Sequence, residues 1–145
     1  MTQKKSLLLF LLLIGACSLQ TSAASAEEDG KASGTEVEAA EKETVLLTEK
    51  GLEPSTLTLK TLDGSVFFVN ASKLGLASLE VQFNGRRAHC ASENMKLQEG
   101  TMRSIRPIGP RDFALLCFPE RGNYTVNVRG VDGTTKTFTG NVVVP

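Results

Sequence analysis

The chain has 145 residues, sixteen acidic and sixteen basic side chains, three cysteines and a single histidine. One histidine excludes any site within one copy that needs two imidazole ligands, and no segment after the first residues is apolar enough to span a membrane. The formal neutrality hides a division, because seven of the acids precede residue 44, while the residues after it hold nine acids against twelve Lys and Arg. The C-terminal hundred residues are therefore mildly basic.

The N-terminus has the pattern of a signal peptide. Lys4 and Lys5 precede an uninterrupted apolar run over residues 7–16, which is a charged region followed by a short hydrophobic region. At a rise of about 1.5 Å per residue this run reaches about 15 Å, half of the hydrocarbon core, so it is too short to span. We predict that residues 1–16 direct export.

The run ends in a sequence that resembles the lipobox of bacterial lipoproteins, Ile14-Gly15-Ala16-Cys17. The resemblance implies that Cys17 is lipidated, becomes the new N-terminus and anchors the protein on the periplasmic side of a membrane. The alternative is cleavage after Ala26, where residues 24–26 form an A-x-A site, which gives a soluble periplasmic or secreted protein. Both interpretations stay open at this point.

Residues 17–43 are predicted to form a flexible tether. They are small, polar and acidic, with almost no large apolar side chain, and cannot offset the entropy cost of ordering. A coil of about 26 residues has a root-mean-square span near 30 Å. Such a segment would hold a folded domain away from the membrane.

Residues 44–145 have the pattern of a single all-β domain. Eight short segments are rich in β-branched and aromatic residues and are separated by turn residues. They are residues 44–48, 56–60, 65–70, 78–83, 101–105, 112–117, 124–129 and 135–144. In several of them apolar and polar residues alternate, as with Leu79, Val81 and Phe83, which is typical of half-buried strands. We predict an antiparallel Greek-key β-sandwich of about eight strands.

The three cysteines of an exported chain cannot all pair with one another. If Cys17 carries lipid, Cys90 and Cys117 remain as one even pair in an oxidising compartment. We predict a disulfide between them, which closes a loop of about 27 residues and stabilises the domain by about 3–4 kcal/mol. The alternative is two unpaired buried thiols.

The order of motifs in this domain resembles cupredoxin-like domains. The similar segments are residues 51–60 and 64–70 at the opening strands, 120–126 at the "G-x-Y" strand and 139–144 at the closing strand. The similarity covers roughly residues 45–145 and is nearest to exported domains attached to bacterial iron-uptake and copper-handling proteins. It implies a cupredoxin-like sandwich.

Electron-transfer cupredoxins bind copper through two His, one Cys and a weak axial Met. The resemblance puts the first ligand at Leu76 and the others within residues 126–133, which contain no His, Cys or Met. We therefore expect no blue-copper site and no cofactor. The alternative is a soft Cu(I) site formed by His89 with Met95, Met102 or a free thiol. Against it stands the interpretation that the methionines fill the core and His89 lies on the surface.

The chain lacks the common catalytic motifs, G-x-S-x-G, the phosphate loop and H-E-x-x-H. His89 and Cys90 as neighbours on a strand would point to opposite faces, so we predict no enzyme.

Two hypotheses for the function remain. The first is an exported, membrane-anchored binding or accessory module with a periplasmic protein partner. The second is a periplasmic copper or iron handling or electron-transfer protein with a non-standard site around His89. Export disfavours nucleic acid as a partner, and the seven arginines are interpreted as a solvated surface.

Overall fold

The computed structural model describes residues 40–73 and 75–145. The predicted signal peptide, Cys17 and the predicted tether up to residue 39 lie outside the described residues. Ten strands make up the domain. They are β1 Lys42–Thr48, β2 Gly51–Glu53, β3 Thr56–Thr58, β4 Gly64–Asn70, β5 Ser78–Gln82, β6 Met95–Gln98, β7 Thr101–Ser104, β8 Phe113–Phe118, β9 Gly122–Arg129 and β10 Thr137–Val144. Within the described part of the chain, no helix is long and apolar enough to cross a membrane.

The strands form two sheets that pack face to face. Sheet 1 has the order β2-β1-β4-β8, and sheet 2 has the order β3-β10-β9-β5-β7-β6. Two of the pairs are parallel, β1 with β4 and β3 with β10. The predicted all-β sandwich is confirmed, and its two sheets are mixed, with these two parallel pairs among the antiparallel ones that the sequence predicted. After β2 the chain crosses to sheet 2 to form β3 and re-enters sheet 1 at β4 in the direction of β1, over a connection long enough for parallel pairing.

All eight predicted strands are present, and two short ones were missed. β2 has three residues, and three of the four residues of β6 are exposed, so neither carries a clear alternating pattern. β1 begins at Lys42, two residues before the predicted start of the domain. The main chain of Lys60 and Thr61 donates to the carboxylate of Glu41 at 2.6 and 3.1 Å, which ties the entering chain to the domain.

The core lies between the two sheets and follows the period-two pattern of the strands. Val66 and Phe68 of sheet 1 and Leu79, Val81 and Val128 of sheet 2 are fully buried. An aromatic cluster closes the core at the end where the chain enters: the rings of Phe83, Phe118 and Tyr124 lie 4.9–5.7 Å apart by centroid.

The sandwich has two ends, which differ in what connects the strands. The loop end consists of residues 71–73, 75–77, 105–112 and 130–136. The disulfide end consists of residues 60–63, 83–90 and 119–121 and holds the Cys90–Cys117 bond. Because β1 pairs in parallel with β4, whose first residue lies opposite Phe118, the chain enters the domain at the disulfide end.

Candidate functional site

The loop end is organised around one buried amide, Asn70, the last residue of β4. Its side-chain nitrogen donates to the carbonyl oxygens of Gly75 at 2.9 Å and Ile108 at 2.8 Å. Its side-chain oxygen accepts from the main-chain nitrogen of Ser72 at 3.0 Å. Both donors of a fully buried amide are thus used. Asn70 holds the segment after β4 against the segment before β8.

The segment after β4 lies against the segment after β9 in a close backbone contact. A Cβ atom on Gly75 would collide with the carbonyl oxygen of Gly130 and lie 2.6 Å from that of Val131. A Cβ on Gly130 would collide with the carbonyl oxygen of Leu76, and Gly130 has a φ of 84° that favours glycine. Glycine at both positions lets the two loops touch through their main chains.

This contact lies where the cupredoxin resemblance puts the copper ligands. Leu76 is 59% exposed and Val131 is fully buried. The carboxylate of Asp132 is engaged locally, since it accepts from the main-chain nitrogen of Thr134 at 3.0 Å and from its hydroxyl at 2.8 Å. The hydrogen bond from the Thr134 main chain, followed by that from its hydroxyl, holds the pKa of Asp132 below its usual value.

The residues of the loop end do not fit a blue-copper centre. Such a centre needs imidazole, thiolate and thioether ligands, and the described residues of the three loops carry none of these groups. Across residues 40–73 and 75–145, no cluster of three or more His, Cys, Asp or Glu side chains could hold a metal ion.

Cys90 and Cys117 are bonded, with Cα atoms 5.1 Å apart, so the predicted disulfide is confirmed. The main-chain nitrogen of Cys117 also donates to the carbonyl oxygen of Cys90 at 3.1 Å. The bond ties the segment after β5 to the outer edge of β8. The alternative of two unpaired thiols was wrong, and neither sulfur is available as a Cu(I) ligand or as a nucleophile beside His89.

The other candidate metal ligands lie in different environments. His89 is exposed in the segment between β5 and β6. Met95 is 7% exposed and Met102 is 3% exposed, and both belong to the core cluster. There a thioether packs as an apolar side chain that fills gaps. A Cu(I) site that uses all three would have to draw both methionines out of the core.

The disulfide end contains a polar arrangement that the sequence interpretation missed. The hydroxyl of buried Tyr124 donates to the carbonyl oxygen of Glu120 at 2.7 Å, and the Arg86 guanidinium lies 5.1 Å from the ring centroid. Arg86 also donates to the carbonyl oxygens of Phe83 and Arg121. Burial raises the pKa of Tyr124 above its ordinary value. Arg86 thus caps the aromatic cluster, where the sequence predicted a solvated side chain.

The remaining arginines do not form one basic face. Arg103 and Arg129 contact the same carboxylate oxygen of Glu80 at 3.8 and 3.1 Å on the outward side of sheet 2. Arg106 and Arg111 lie at the loop end. The positive charge of the domain is therefore distributed around the sandwich.

Solved structures with a similar architecture include a reduced Cu(I) form of an amicyanin variant, at 17% identity over 74% of this chain and 84% of that chain, with a TM-score of 0.50. The fold is cupredoxin-like. Reduced auracyanin from Roseiflexus castenholzii is 12% identical over 74% of this chain and 99% of that chain, with a TM-score of 0.46. No family model matches the sequence, and no curated protein is significantly similar to it.

Proposed function

We propose that the protein is an exported, lipid-anchored binding or accessory module that uses a cupredoxin-like frame without a blue-copper site and without catalysis. Its loop end takes the role of a rigid binding surface for a periplasmic protein partner. Loops held by a rigid β-scaffold are the usual place for binding residues, and the same fold hosts unrelated functions.

The observation that carries this proposal is the closure of the loop end. The main chain at residues 75–76 contacts the main chain at residues 130–131. The side chain of Asn70 binds the carbonyl oxygens of Gly75 and Ile108 in the adjoining loops. These contacts and the main-chain bonds between Ala77 and Ile108 hold the loops together, with aliphatic residues where a metal-binding protein would need soft ligands. Leu76, which is exposed in the segment after β4, gives a partner an apolar contact.

The position of the chain entry supports the anchoring part of the proposal. β1 begins at the disulfide end, so an anchor at Cys17 is joined to the domain at the end opposite the binding loops. This arrangement leaves the loops accessible while the chain stays attached to a membrane.

Metal analysis of the purified exported protein tests the absence of a copper site. We expect less than stoichiometric copper and iron, a colourless protein, and no free thiol under denaturing conditions. Stoichiometric copper that is lost in His89→Ala would contradict the proposal and support the Cu(I) alternative.

Membrane extraction tests the anchor. We expect the wild-type protein to require detergent for release and Cys17→Ala to lose this requirement. Ser18→Ala serves as the control because it changes the adjacent residue and retains the cysteine. Equal solubility of the wild type and Cys17→Ala would show that Cys17 does not anchor the chain.

A further inference from the structure

The outward face of sheet 1 carries a group of apolar side chains that face solvent. The residues that point away from the core on β1, β4 and β8 include five large apolar side chains in two adjacent rows. They are Leu46, Phe67, Val69, Phe113 and Leu115. The strand register places Val69 between Leu46 and Phe113, and Phe67 next to Leu115. The five side chains are therefore neighbours on one surface.

These residues form a continuous patch, which we call the sheet 1 patch. The rings of Phe67 and Phe113 lie 5.6 Å apart by centroid. Phe113 is 48% exposed and Leu46 is 37% exposed, so the patch is open. The outward side of sheet 2 is polar at the corresponding positions, as with Asn127, Thr139 and Glu80. Adjacent rows of apolar side chains on one face, opposite a polar face, suit contact with another apolar surface.

The sequences of two strands independently indicate that this face is covered. Residues 66–69 of β4 and 113–118 of β8 are almost uninterrupted apolar runs, which are typical of strands buried on both faces. In β9 the core residues alternate with Asn, Thr and Arg, which is the pattern of a strand with one solvent-exposed face.

The size of the sheet 1 patch disfavours a second copy as the covering partner. Three strands about 4.8 Å apart, with two rows about 7 Å apart, give a footprint on the order of 200 Å². A stable protein–protein interface needs about 800 Å² on each partner. A patch this small is effective only where another attachment already holds its partner close.

A lipid anchor supplies such an attachment. β1, the strand that the chain enters first, carries Leu46 and belongs to sheet 1. Residues 18–39 separate Cys17 from the described domain, and a chain of that length reaches at most about 75 Å. The sheet 1 patch is therefore within reach of the membrane that holds the lipid.

We propose that the sheet 1 patch rests on the surface of the lipid bilayer, so that the domain lies flat with its strands along the membrane plane. This inference rests on the proposed lipid anchor at Cys17. In this orientation the loop end points along the membrane, and its partner is reached from the side.

A single indole reports on the contact, because the chain contains no tryptophan. Phe113→Trp puts the indole in the patch, and Thr137→Trp puts it at an exposed outward position of β10. The full lipidated protein is placed in phosphatidylcholine vesicles with and without brominated acyl chains, and flotation is measured on the same samples. For the Phe113→Trp variant, we expect emission in vesicles at shorter wavelength than without lipid, and quenching of that emission by bromine. For Thr137→Trp we expect neither change.

The other outcomes separate this inference from the anchor. A chain that floats with vesicles while its indole at position 113 stays unquenched overturns the inference and leaves the anchor intact. A chain that does not float refutes the anchor; the exported protein is then titrated with vesicles, and no shift in emission overturns the inference as well. A shift that grows with protein concentration without lipid shows that a second copy covers the patch, which also overturns it.

Discussion

The loop end and the disulfide end of the sandwich hold their connecting segments by different means. At the loop end, the side chain of Asn70 makes three hydrogen bonds to the main chain, and glycines allow backbone contact between loops. At the disulfide end, a covalent bond, an aromatic cluster and the Arg86 cation over Tyr124 close the core.

The difference shows how a loop end can be rigid without a metal. A bound ion can organise converging loops by ligating side chains from each of them. Here one buried amide does this, since its donors and acceptor are matched by main-chain groups from two segments. The disulfide end carries the covalent constraint, and this leaves the side chains of the loop end available for binding.

The largest effect is expected from removing the amide at the loop end. Asn70→Leu keeps the approximate volume, removes three hydrogen bonds and leaves the main-chain nitrogen of Ser72 without its acceptor. The carbonyl oxygens of Gly75 and Ile108 each keep one other donor. Each lost bond to a carbonyl oxygen costs about 1 kcal/mol and the unsatisfied buried donor costs about 1–3 kcal/mol, so we expect a loss of about 3–5 kcal/mol in the free energy of unfolding, measured with urea. Asn127→Leu is the control, because Asn127 bonds Thr139 on the exposed side of sheet 2. An equal loss in the two variants would contradict the role given to Asn70.

Breaking the disulfide is expected to have the next effect. The double variant Cys90→Ser with Cys117→Ser frees a loop of 27 residues, and loop-closure entropy predicts a loss of about 3–4 kcal/mol. Urea unfolding of the wild type with and without reductant measures the same quantity. A loss well below 1 kcal/mol would show that the aromatic cluster alone holds this end.

Tyr124→Phe removes one hydrogen bond from the disulfide end and should cost about 1–1.5 kcal/mol. Because Tyr124 is the only tyrosine, its near-ultraviolet absorbance reports its ionisation directly. Burial raises its pKa above 10.0, so this stability is fully present below pH 10.0 and is lost as the pH rises through the folded-state pKa. The Tyr124→Phe protein should lack this part of the alkaline loss, and identical profiles for the two proteins would refute the assignment.

The smallest effect concerns Arg111, which has a φ of 68° at the loop end. Only glycine adopts this conformation without cost. We expect Arg111→Gly to be as stable as the wild type or up to about 1 kcal/mol more stable. Arg106→Gly is the control at negative φ and should lose about 0.4–1 kcal/mol, because glycine gives the unfolded chain more conformational freedom. Equal losses in thermal unfolding of the two variants would show that the backbone of Arg111 is unstrained.

The sequence predicted the sheets better than the ends. Alternation in β5 and β9 identifies the core residues directly, because a half-buried strand must alternate. The cysteine count predicted the disulfide once Cys17 was assigned to lipid. The direction of pairing was not predictable for β1 and β4, since alternation tells which face is buried and does not tell which strand lies alongside.

The ends depend on contacts between segments that are distant in sequence. Asn70 is the last residue of the segment 64–70, which resembles an opening strand of cupredoxin-like domains. Its partner Ile108 is 38 residues away, and no local sequence pattern connects the two. Arg86 has the same sequence signature as a solvated arginine, and only the fold brings it over Tyr124. The continuous apolar runs of β4 and β8 did carry a signal, which becomes interpretable once the register shows which residues point outward.

Thermal unfolding with copper tests most directly whether the loop end is complete without a metal. An ion present at one hundred times its dissociation constant adds about 2.7 kcal/mol, which raises the Tm of a domain of this size by about 10–20 °C. With Cu(I) supplied without a thiol reductant, we predict the same Tm for the wild type with and without the ion. A rise of 10 °C or more that persists in His89→Ala would contradict closure of the loop end without a metal, whereas a rise that His89→Ala abolishes would place a Cu(I) site at the disulfide end.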